Sequence, residues 1–402
     1  MRVADAINIA DLARLARRRL PRVVFDFLDG GAEDERTLHA NRDSFARYRL
    51  RPRVLTGNAK RDLSISLFGQ ALSAPFMIGP TGLNGIHWPD GDLHLSRAAS
   101  AAGIGFALST ASNNSIEEVA RGSPGPKFFQ LYPWGDRALC GRLVERAAAA
   151  GYKALIVTVD SLVAGKRERD LRNGFAHELR FTPRVAWDGL THPRWLASTW
   201  LARGMPRFEN IAEFLPAGAG AHDLAEFTRS QRNPGLSWED IEWIRRRWQG
   251  PFLLKGILTA EDAQRALAAG ADGIVISNHG GRALDGAPAT IEVLPEIAAA
   301  VGGSTSVLID GGFRRGSDIA KALALGAKCV LLGRAALYGL AAGGEAGVAR
   351  ALAILRDETD RVLALMGCAA VGDLGPHHVA AVEDYFAREP IQTASPRECR
   401  LL

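Results

Sequence analysis

The sequence GIVISNHGGRALD occupies residues 273–285. Its first four residues form an apolar run that predicts a short buried strand. The run ends abruptly in polar and glycine residues, which is typical of a loop at the carboxyl end of a parallel barrel strand. In this loop His279 can exchange a proton near neutral pH, and Arg282 can bind a carboxylate with its planar guanidinium. The alternative interpretation is a glycine turn that carries a structural histidine.

Two further segments repeat the pattern of a strand followed by glycine and arginine. Residues 307–316 read VLIDGGFRRG, and residues 330–334 read VLLGR. Their order in the chain matches strands seven and eight of a (β/α)8 barrel, whose following loops commonly form a phosphate site. A proton-transfer residue followed by two such loops indicates a barrel enzyme that binds a phosphorylated cofactor.

Short apolar runs alternate with helical patterns from residue 74 onward, which predicts a parallel barrel. Each run is rich in Val, Ile, Leu or Phe and ends in a polar or glycine residue. The eight predicted strands are Phe76–Pro80, Gly105–Ser109, Lys127–Tyr132, Ala154–Asp160, Phe252–Lys255, Gly273–Ser277, Ser306–Asp310 and Cys329–Gly333. The predicted fold class is therefore α/β, a (β/α)8 TIM barrel.

The regions outside this alternation complete the domain prediction. Residues 4–20 have apolar side chains at helical spacing and predict an N-terminal helical segment, and Glu345–Met366 predicts a last long helix. Residues 173–234 contain no clear strand and helix unit and are predicted to be a long insertion after strand four. We expect residues 1–390 to form a single barrel domain and residues 391–402 to be a loosely ordered tail.

Bulk composition narrows the class of protein. The net charge of +5 comes from arginines spread along 402 residues, which favours an anionic substrate or a membrane surface over nucleic acid. The four cysteines lack CxxC spacing and a histidine cluster, so a reduced cytoplasmic setting without a metal site is expected. The chain has neither a signal-peptide pattern nor an apolar run of transmembrane length.

Specific motifs add a family resemblance. SNHGGR (277–282), DGGFRRGSDIAKALALGA (310–327) and LLGRA (331–335) resemble the FMN-dependent α-hydroxy-acid dehydrogenases and oxidases. The similarity extends from about Leu20 to about Gly367. GPTGLNG (79–85), LSTASNNSIEE (108–118), RERDLRN (167–173) and HPRW (192–195) resemble family members that act on mandelate. The resemblance implies FMN as cofactor and oxidation of a 2-hydroxy acid, such as the aryl acid (S)-mandelate, to the 2-oxo acid.

The resemblance assigns catalytic and substrate-binding roles. His279 matches the base, and Asp160, which ends strand four, matches a carboxylate that stabilises the imidazolium; a helix cap is the alternative for Asp160. Arg282 and Arg167 match the arginines that bind the substrate carboxylate, although Arg167 alone would be unremarkable in the charge run KRERD. Tyr132 matches a tyrosine that contacts substrate and flavin, with a core aromatic as the alternative.

Phe27 departs from the family pattern, because the family has a tyrosine there whose hydroxyl contacts the substrate carboxylate. Phenylalanine fills the same space but has no donor. Either the enzyme tolerates weaker carboxylate binding, or its natural substrate carries a group that packs against the ring. The matching residues His279, Asp160, Arg167 and Arg282 are intact, which argues against a catalytically silent protein.

The resemblance also implies the cofactor site. Lys255 matches the lysine at the flavin N1–C2 edge, where it stabilises the anion that forms on reduction. Matching positions that contact the ring or its surroundings are Pro80, Thr81, Gly82, Ser109, Gln130, Tyr132, Thr158 and Ser277. Matching positions at the 5′-phosphate are Gly312, Arg314, Gly333 and Arg334, and Asp310 and Gly311 are further matching cofactor-binding positions.

Two positions bear on the acceptor and the substrate. Oxidases of the family tend to have alanine where this chain has Gly82, so a quinone or another respiratory-chain acceptor is favoured over oxygen. Ala111 stands where glycolate oxidases have a tryptophan, which leaves room for a larger substrate. Lactate or another aliphatic acid, and oxygen as acceptor, remain the nearest alternatives. Flavoenzymes that modify peptides lose the arginine at Arg282, which argues against that function.

The insertion mixes aromatic residues with arginines, which suits a membrane interface. In the mandelate-oxidising relatives the segment at this place attaches the enzyme to the membrane, so residues 181–216 are a candidate peripheral contact on the inner face of the cell membrane. A lid or a subunit contact is the alternative. The resemblance further implies a homo-oligomer, a tetramer in the family.

Overall fold

The chain folds around a closed parallel barrel, as the sequence predicted. The computed structural model describes residues 1–175, 182–201, 204, 207–215, 226–227 and 229–383. The strand order around the barrel follows the chain order, and the last strand pairs with the first. The barrel strands are Phe76–Ile78, Phe106–Ser109, Lys127–Leu131, Ala154–Thr158, Phe252–Ile257, Gly273–Ile276, Ser306–Ile309 and Cys329–Leu332. The prediction of eight strands is confirmed, with ends that differ by one or two residues.

Helices follow the barrel strands and cover the outside of the barrel. Their first turns carry the expected caps: the Ser115 side chain accepts from the backbone of Glu118, and the Asp136 carboxylate accepts from the backbone of Ala138 and Leu139. These helices are Gly91–Ala101, Ile116–Gly122, Arg137–Ala149, Trp238–Arg245, Ala260–Ala268, Thr290–Val301, Gly316–Ala324 and Arg334–Met366. The last helix is longer than the predicted Glu345–Met366 because two helices join across a kink at Gly343 and Gly344.

The interior of the barrel is filled with side chains that point inward from alternate positions. Phe128, Ile156 and Leu253 belong to this core and are at most 2% exposed. A hairpin of Ile65–Leu67 and Gln70–Leu72 adds Leu67 and Leu72 to the same core. This hairpin was not predicted from the sequence. The amino end of the barrel is thereby filled, and the polar residues of the strands collect at the carboxyl end.

The N-terminal segment consists of three short helices, Ile9–Arg19, Arg22–Asp29 and Arg36–Asp43. The first is shorter than the predicted helix because Asn8 caps its first turn by accepting from the backbone of Asp11. It packs on the helix Arg334–Met366. The second helix carries Phe27 to the carboxyl end of the barrel. A strand Tyr48–Leu50 pairs with Val379–Ala381 and ties the two ends of the described chain together.

The described part of the insertion is helical and irregular. It contains Pro183–Leu190, Pro193–Trp195 with the continuing π-helical turn Leu196–Leu201, and a 3₁₀ turn at Ala212–Phe214. Trp195 is buried and donates from Nε1 to the carbonyl of Ile86 over 2.8 Å. Residues 176–181 and 216–225 of the insertion, and the predicted tail 391–402, lie outside the described residues. Within the described residues no helix is both long and apolar enough to cross a bilayer.

Candidate active site

A cavity of about 390 Å³ opens at the carboxyl end of the barrel strands. Its wall combines the loops after the strands with the N-terminal helix that carries Phe27 and with Phe208 of the insertion. Because all eight strands of a parallel barrel end at this face, residues that are far apart in the chain meet here. The cavity therefore brings together the polar strand ends that the sequence singled out.

The loop after the sixth strand presents His279 to this cavity. Its Nδ1 lies 2.7 Å from Oδ1 of Asp160, and its backbone N–H donates to Oγ of Ser277 over 3.0 Å. His279 has a φ of 57°, a left-handed conformation that costs energy in a residue with a Cβ. The following Gly280 and Gly281 are also left-handed, at 64° and 73°, where glycine carries no such cost. The turn and the Asp160 contact together orient the imidazole ring.

Asp160 lies behind the histidine, with a side chain only 8% exposed. Burial alone would raise its pKa, but the positive charge of Lys255 and the contact with His279 outweigh that effect and lower the pKa of Asp160 to about 2. Its carboxylate is therefore ionised throughout the physiological pH range. Nζ of Lys255 lies 3.7 Å from Oδ2 of Asp160 and 3.2 Å from Oδ2 of Asp310. Burial opposes the charge of Lys255, but these carboxylates raise its pKa above the ordinary value.

Two arginines lie close to the ring of Phe27. The Cζ atoms of Arg282 and Arg167 lie 5.1 Å and 5.2 Å from the ring centroid, within the range of cation–π contacts. Arg282 donates to the carbonyls of Phe27 and Gly30, both over 2.8 Å. Burial lowers the pKa of Arg282, and the nearby charges of Arg167 and Arg334 lower it further. This concentration of buried positive charge would bind an anion strongly, because few carboxylates offset it.

Arg167 is only partly neutralised by its neighbour. Its Nε lies 3.3 Å from Oδ2 of Asp170, an ion pair that lacks the alignment of a hydrogen bond. Burial raises the pKa of Asp170, although the positive charge of Arg167 acts in the opposite direction. Arg167 and Arg282 therefore face the same end of the cavity with positive charge that a substrate carboxylate can neutralise.

Buried polar atoms without a partner line the cavity beside the arginines. Nε2 of Gln130 and Oγ1 of Thr158 are buried and have no hydrogen-bond partner among the described residues. Oε1 of Gln130 accepts from Oγ of Ser109 over 2.8 Å, so the amide orientation is fixed. Oγ of Ser277 accepts from Nζ of Lys255 over 2.7 Å. Unpartnered buried groups are costly, and a flavin ring that hydrogen-bonds to them would relieve that cost. These residues therefore fit FMN.

The opposite end of the cavity consists of two glycine loops. Gly311 and Gly312 have φ of 100° and 82°, and a Cβ on Gly312 would lie 1.8 Å from the carbonyl oxygen of Asn41. Only glycine fits there. Gly333 precedes the helix that begins at Arg334, so free backbone N–H groups point toward this end of the cavity. Such a cradle is suited to a phosphate.

The arginines of these loops are partly engaged by the protein itself. Arg334 donates to the carbonyls of Leu28, Gly280 and Gly30 over 3.2, 2.8 and 2.8 Å. It thus ties the N-terminal segment to the catalytic loop, and two of its five N–H groups remain for another acceptor. Arg314 donates to the carbonyl of Phe313 over 2.9 Å. Both arginines line the cavity.

Pro80, Thr81 and Gly82 line the wall after the first strand. A Cβ on Gly82 would lie 2.9 Å from the Cβ of Ala111, closer than carbon atoms normally approach. These two small residues therefore pack directly against each other. A larger residue at either position would have to displace the other.

Most of the predicted site residues line the cavity, including Tyr132 and Asp310. Three lie behind the wall and act on residues that line it: Asp160, Ser109 and Ser277. Several residues that also line the cavity were not predicted as site residues, namely Leu28, His87, Trp134, Phe175, Phe208, Arg232 and Asn233. Leu28 belongs to the helix Arg22–Asp29, and the others come from loops and from the insertion, where no strand pattern marks the position of a residue.

Comparisons with known proteins agree with this geometry. The family model described as FMN-dependent dehydrogenase matches residues 16–381. (S)-Mandelate dehydrogenase from Pseudomonas putida is 45% identical over 393 residues, which cover 98% of this chain and 96% of that protein. L-Lactate oxidase from a Nostoc species is 44% identical, covering 92% of this chain and 97% of the relative.

A solved structure extends the similarity to three dimensions. The crystal structure of the monotopic membrane protein (S)-mandelate dehydrogenase superposes with a TM-score of 0.91 at 46% sequence identity. The match covers 94% of this chain and 100% of that one. The family predicted from the motifs is thus confirmed. The chain belongs to the FMN-dependent dehydrogenase family and is an FMN-dependent enzyme that oxidises 2-hydroxy acids.

Proposed function

We propose that the protein oxidises an aryl 2-hydroxy acid of the (S)-mandelate type, with His279 as the base that takes the hydroxyl proton. The observation that carries this proposal is the 2.7 Å contact between Nδ1 of His279 and Asp160. It holds one ring nitrogen in a protonated state and leaves Nε2 available to the substrate. The ionised Asp160 stabilises the imidazolium that results.

The substrate carboxylate would bind between Arg167 and Arg282, which fixes the hydroxyl group next to His279. Tyr132, whose ring centroid lies 6.4 Å from that of His279, would contact the substrate from the other side. Bound FMN supplies the two-electron acceptor for the substrate carbon. Excluding water from this buried pocket strengthens both the arginine contacts and the contact between His279 and Asp160.

We assign the cofactor-binding residues by the same reasoning. Gln130 and Thr158 would hydrogen-bond to the flavin ring through their unpartnered atoms, and Lys255 would place positive charge beside it. Ser109 and Ser277 position two of these side chains. Pro80, Thr81 and Gly82 would pass along the ring. The 5′-phosphate would lie among Gly312, Arg314, Gly333 and Arg334 of the two glycine loops, and Asp310 and Gly311 would line the cofactor cavity next to Lys255.

Aromatic residues around the cavity support an aryl substrate. Phe175 packs edge-on against Phe27 with ring centroids 4.8 Å apart, and Trp134 and Phe208 line the same cavity. Ala111 leaves this side of the wall small. The resemblance to (S)-mandelate dehydrogenase agrees with an aryl side chain. The relative named L-lactate oxidase, at 44% identity, makes an L-lactate dehydrogenase or oxidase the second candidate.

We further propose a quinone or another respiratory-chain component as the electron acceptor, based on Gly82. The protein would reach such an acceptor as a cytoplasmic protein bound peripherally to the inner face of the cell membrane. Trp187, Leu190 and Leu201 of the insertion support this, because their side chains are 69%, 61% and 73% exposed. The similar (S)-mandelate dehydrogenase structure is described as a monotopic membrane protein. A homo-oligomer, by family resemblance a tetramer, completes the proposal and is testable by light scattering.

Anaerobic mixing of the FMN-loaded enzyme with a panel of 2-hydroxy acids tests the central proposal. Bleaching of the flavin absorbance should be fastest with (S)-mandelate and slower with L-lactate and glycolate. A fastest reaction with L-lactate would favour the second candidate. A flavin that no 2-hydroxy acid bleaches would contradict the proposed reaction.

A further inference from the structure

His87 is a buried histidine in the cavity wall that the proposed mechanism does not use. It is 1% exposed, and neither ring nitrogen has a hydrogen-bond partner among the described residues. Its ring lines the same cavity as Phe27 and Arg282. A buried imidazole with two unpartnered nitrogens is unfavourable, and such a residue in a cavity calls for a ligand that pairs with it.

The backbone holds this imidazole firmly in place. His87 ends the 3₁₀ turn Asn84–Ile86, and its N–H donates to the carbonyl of Asn84 over 3.1 Å. Its own carbonyl accepts from Arg19 over 2.9 Å. The neighbouring Ile86 carbonyl accepts from Trp195. The main chain of this turn is therefore fixed from two sides, while the His87 ring has no hydrogen bond to any residue that the structure describes.

The charges around His87 define what it can bind. Burial lowers the pKa of His87 to about 3, and the positive charges of Arg282 and Arg19 contribute to this decrease. The ring is neutral at working pH and offers one N–H donor and one acceptor. The positive charges of Arg282 and Arg167 favour an anionic ligand in this pocket. The N–H of His87 can donate a hydrogen bond to that anion.

His87 lies beside Phe27, the residue that lacks the hydroxyl of the family tyrosine. Its ring lies nearly parallel to that of Phe27, at an angle of 29°, with centroids 6.2 Å apart. The Cζ atoms of Arg282 and Arg167 both lie within 5.2 Å of the centroid of the Phe27 ring. A donor beside the ring can therefore reach a carboxylate held by these arginines, in place of a hydroxyl at the tip of the ring.

We propose that His87 is a substrate-binding residue that donates a hydrogen bond to the carboxylate of the 2-hydroxy acid, in place of the hydroxyl that Phe27 lacks. This inference rests on the proposed function. It offers a third explanation for Phe27 beside weaker carboxylate binding and a substrate group that packs on the ring. In this explanation a donor from another loop maintains carboxylate binding. His87 and Phe27 then act as a pair.

The test compares His87→Leu, Phe27→Tyr and the double variant, all loaded with FMN. Leucine has about the size of the imidazole but cannot donate. Phenylacetate, a carboxylate without the reacting hydroxyl, is titrated by the change in flavin absorbance, so binding is measured apart from catalysis. Loss of a hydrogen bond to a charged group should weaken phenylacetate binding by about tenfold or more in His87→Leu.

Phe27→Tyr should restore most of this loss in the double variant but change the parent by less than about threefold, because the parent already has a donor. Benzyl alcohol, which has no carboxylate, should bind to all four proteins equally. The thermal midpoint of His87→Leu should be unchanged or higher, because the variant removes an unpartnered polar group from the interior.

Two results would overturn the proposal. One is unchanged phenylacetate binding in His87→Leu. The other is a His87→Leu protein with a lower thermal midpoint and loss of FMN that Phe27→Tyr does not restore, which would identify His87 as structural. A parent enzyme that neither binds phenylacetate nor is reduced by (S)-mandelate would instead contradict the proposed function, so the two failures are distinguishable.

Discussion

Nδ1 of His279 lies 2.7 Å from Oδ1 of Asp160, and this pair joins the loop after the sixth barrel strand to the end of the fourth. The other oxygen of Asp160 faces Lys255 at 3.7 Å. One carboxylate thus contacts both the histidine that would take the substrate proton and the lysine that would lie beside the flavin. Because the charge of Lys255 and the contact with His279 lower the pKa of Asp160, the carboxylate is ionised before substrate arrives.

His279→Gln should keep FMN but lose most of its reduction by substrate. General-base catalysis contributes roughly 10²–10⁴-fold, and glutamine can still occupy the loop without accepting the proton. Stopped-flow measurement of flavin bleaching under anaerobic conditions gives the rate directly. Reduction of the variant at the parental rate would show that another group is the base.

Asp160→Asn should slow flavin reduction while substrate binding changes little. Its carboxylate makes a charge-assisted hydrogen bond of roughly 1.5–3 kcal/mol with the developing imidazolium, so the rate should fall by about ten- to a hundredfold. Asp310→Asn is the matched control, since Asp310 contacts Lys255 but makes no contact with His279. Equal effects of the two substitutions would mean that Asp160 acts only through Lys255.

Lys255→Met should destabilise the apoprotein by about 3–5 kcal/mol, because it leaves Asp160 and Asp310 as buried carboxylates without their cation. Denaturant unfolding of the FMN-free protein measures the loss. Lys127→Met is the control, since Nζ of the buried Lys127 donates to the carbonyl of Gly125 and pairs with no carboxylate among the described residues. Adding Asp310→Asn should recover part of the stability. No recovery would mean that packing dominates the loss.

The barrel was predictable because its strands are short apolar runs closed by polar or glycine residues. Those closing residues, among them Asp160, Lys255 and Asp310, lie at or beside the cavity because parallel strands end at the same face. The family motifs identified Arg167 as a substrate-binding residue, whereas the pattern of charges in residues 166–170 alone does not show which side chain faces the site. Its place beside Phe27 agrees with that selection.

The rest of the site could not be derived from local pattern. His87 follows a 3₁₀ turn, and Phe208 belongs to the insertion; neither position has a periodicity that indicates which way the side chain points. The burial of Trp195 could not be predicted either, since it lies, like the exposed Trp187, in an insertion that mixes aromatic residues with arginines. Only long-range contacts, such as the hydrogen bond from Trp195 to the carbonyl of Ile86, show that Trp195 is buried while Trp187 is exposed.

The acceptor can be tested on the reduced enzyme. If Gly82 marks a dehydrogenase, the reduced flavin should be reoxidised by a quinone analogue much faster than by oxygen in air-saturated buffer. Reoxidation by oxygen that keeps pace with turnover would make the enzyme an oxidase.

The contact that a Cβ on Gly82 would make with Ala111, at 2.9 Å, predicts that Gly82→Ala displaces the wall near Ala111. The Gly82→Ala substitution should therefore slow flavin reduction by (S)-mandelate more than flavin reduction by L-lactate.

The insertion can be tested at its exposed surface without removing the buried Trp195. Replacing Trp187, Leu190 and Leu201 by serine removes three large apolar side chains that are each more than 60% exposed, so the fold should be preserved. The parent should sediment with anionic liposomes, and the triple variant should remain in the supernatant with unchanged flavin reduction.

Leu365→Ser provides the matched control, because Leu365 is 69% exposed but lies on the last long helix, away from the insertion. Its liposome binding should equal that of the parent, since membrane association depends on the apolar area that enters the interface and on where it lies. A parent that does not sediment with liposomes, or a triple variant that still does, would contradict the membrane contact. A change in the molar mass of the triple variant by light scattering would assign the exposed residues to a contact between subunits.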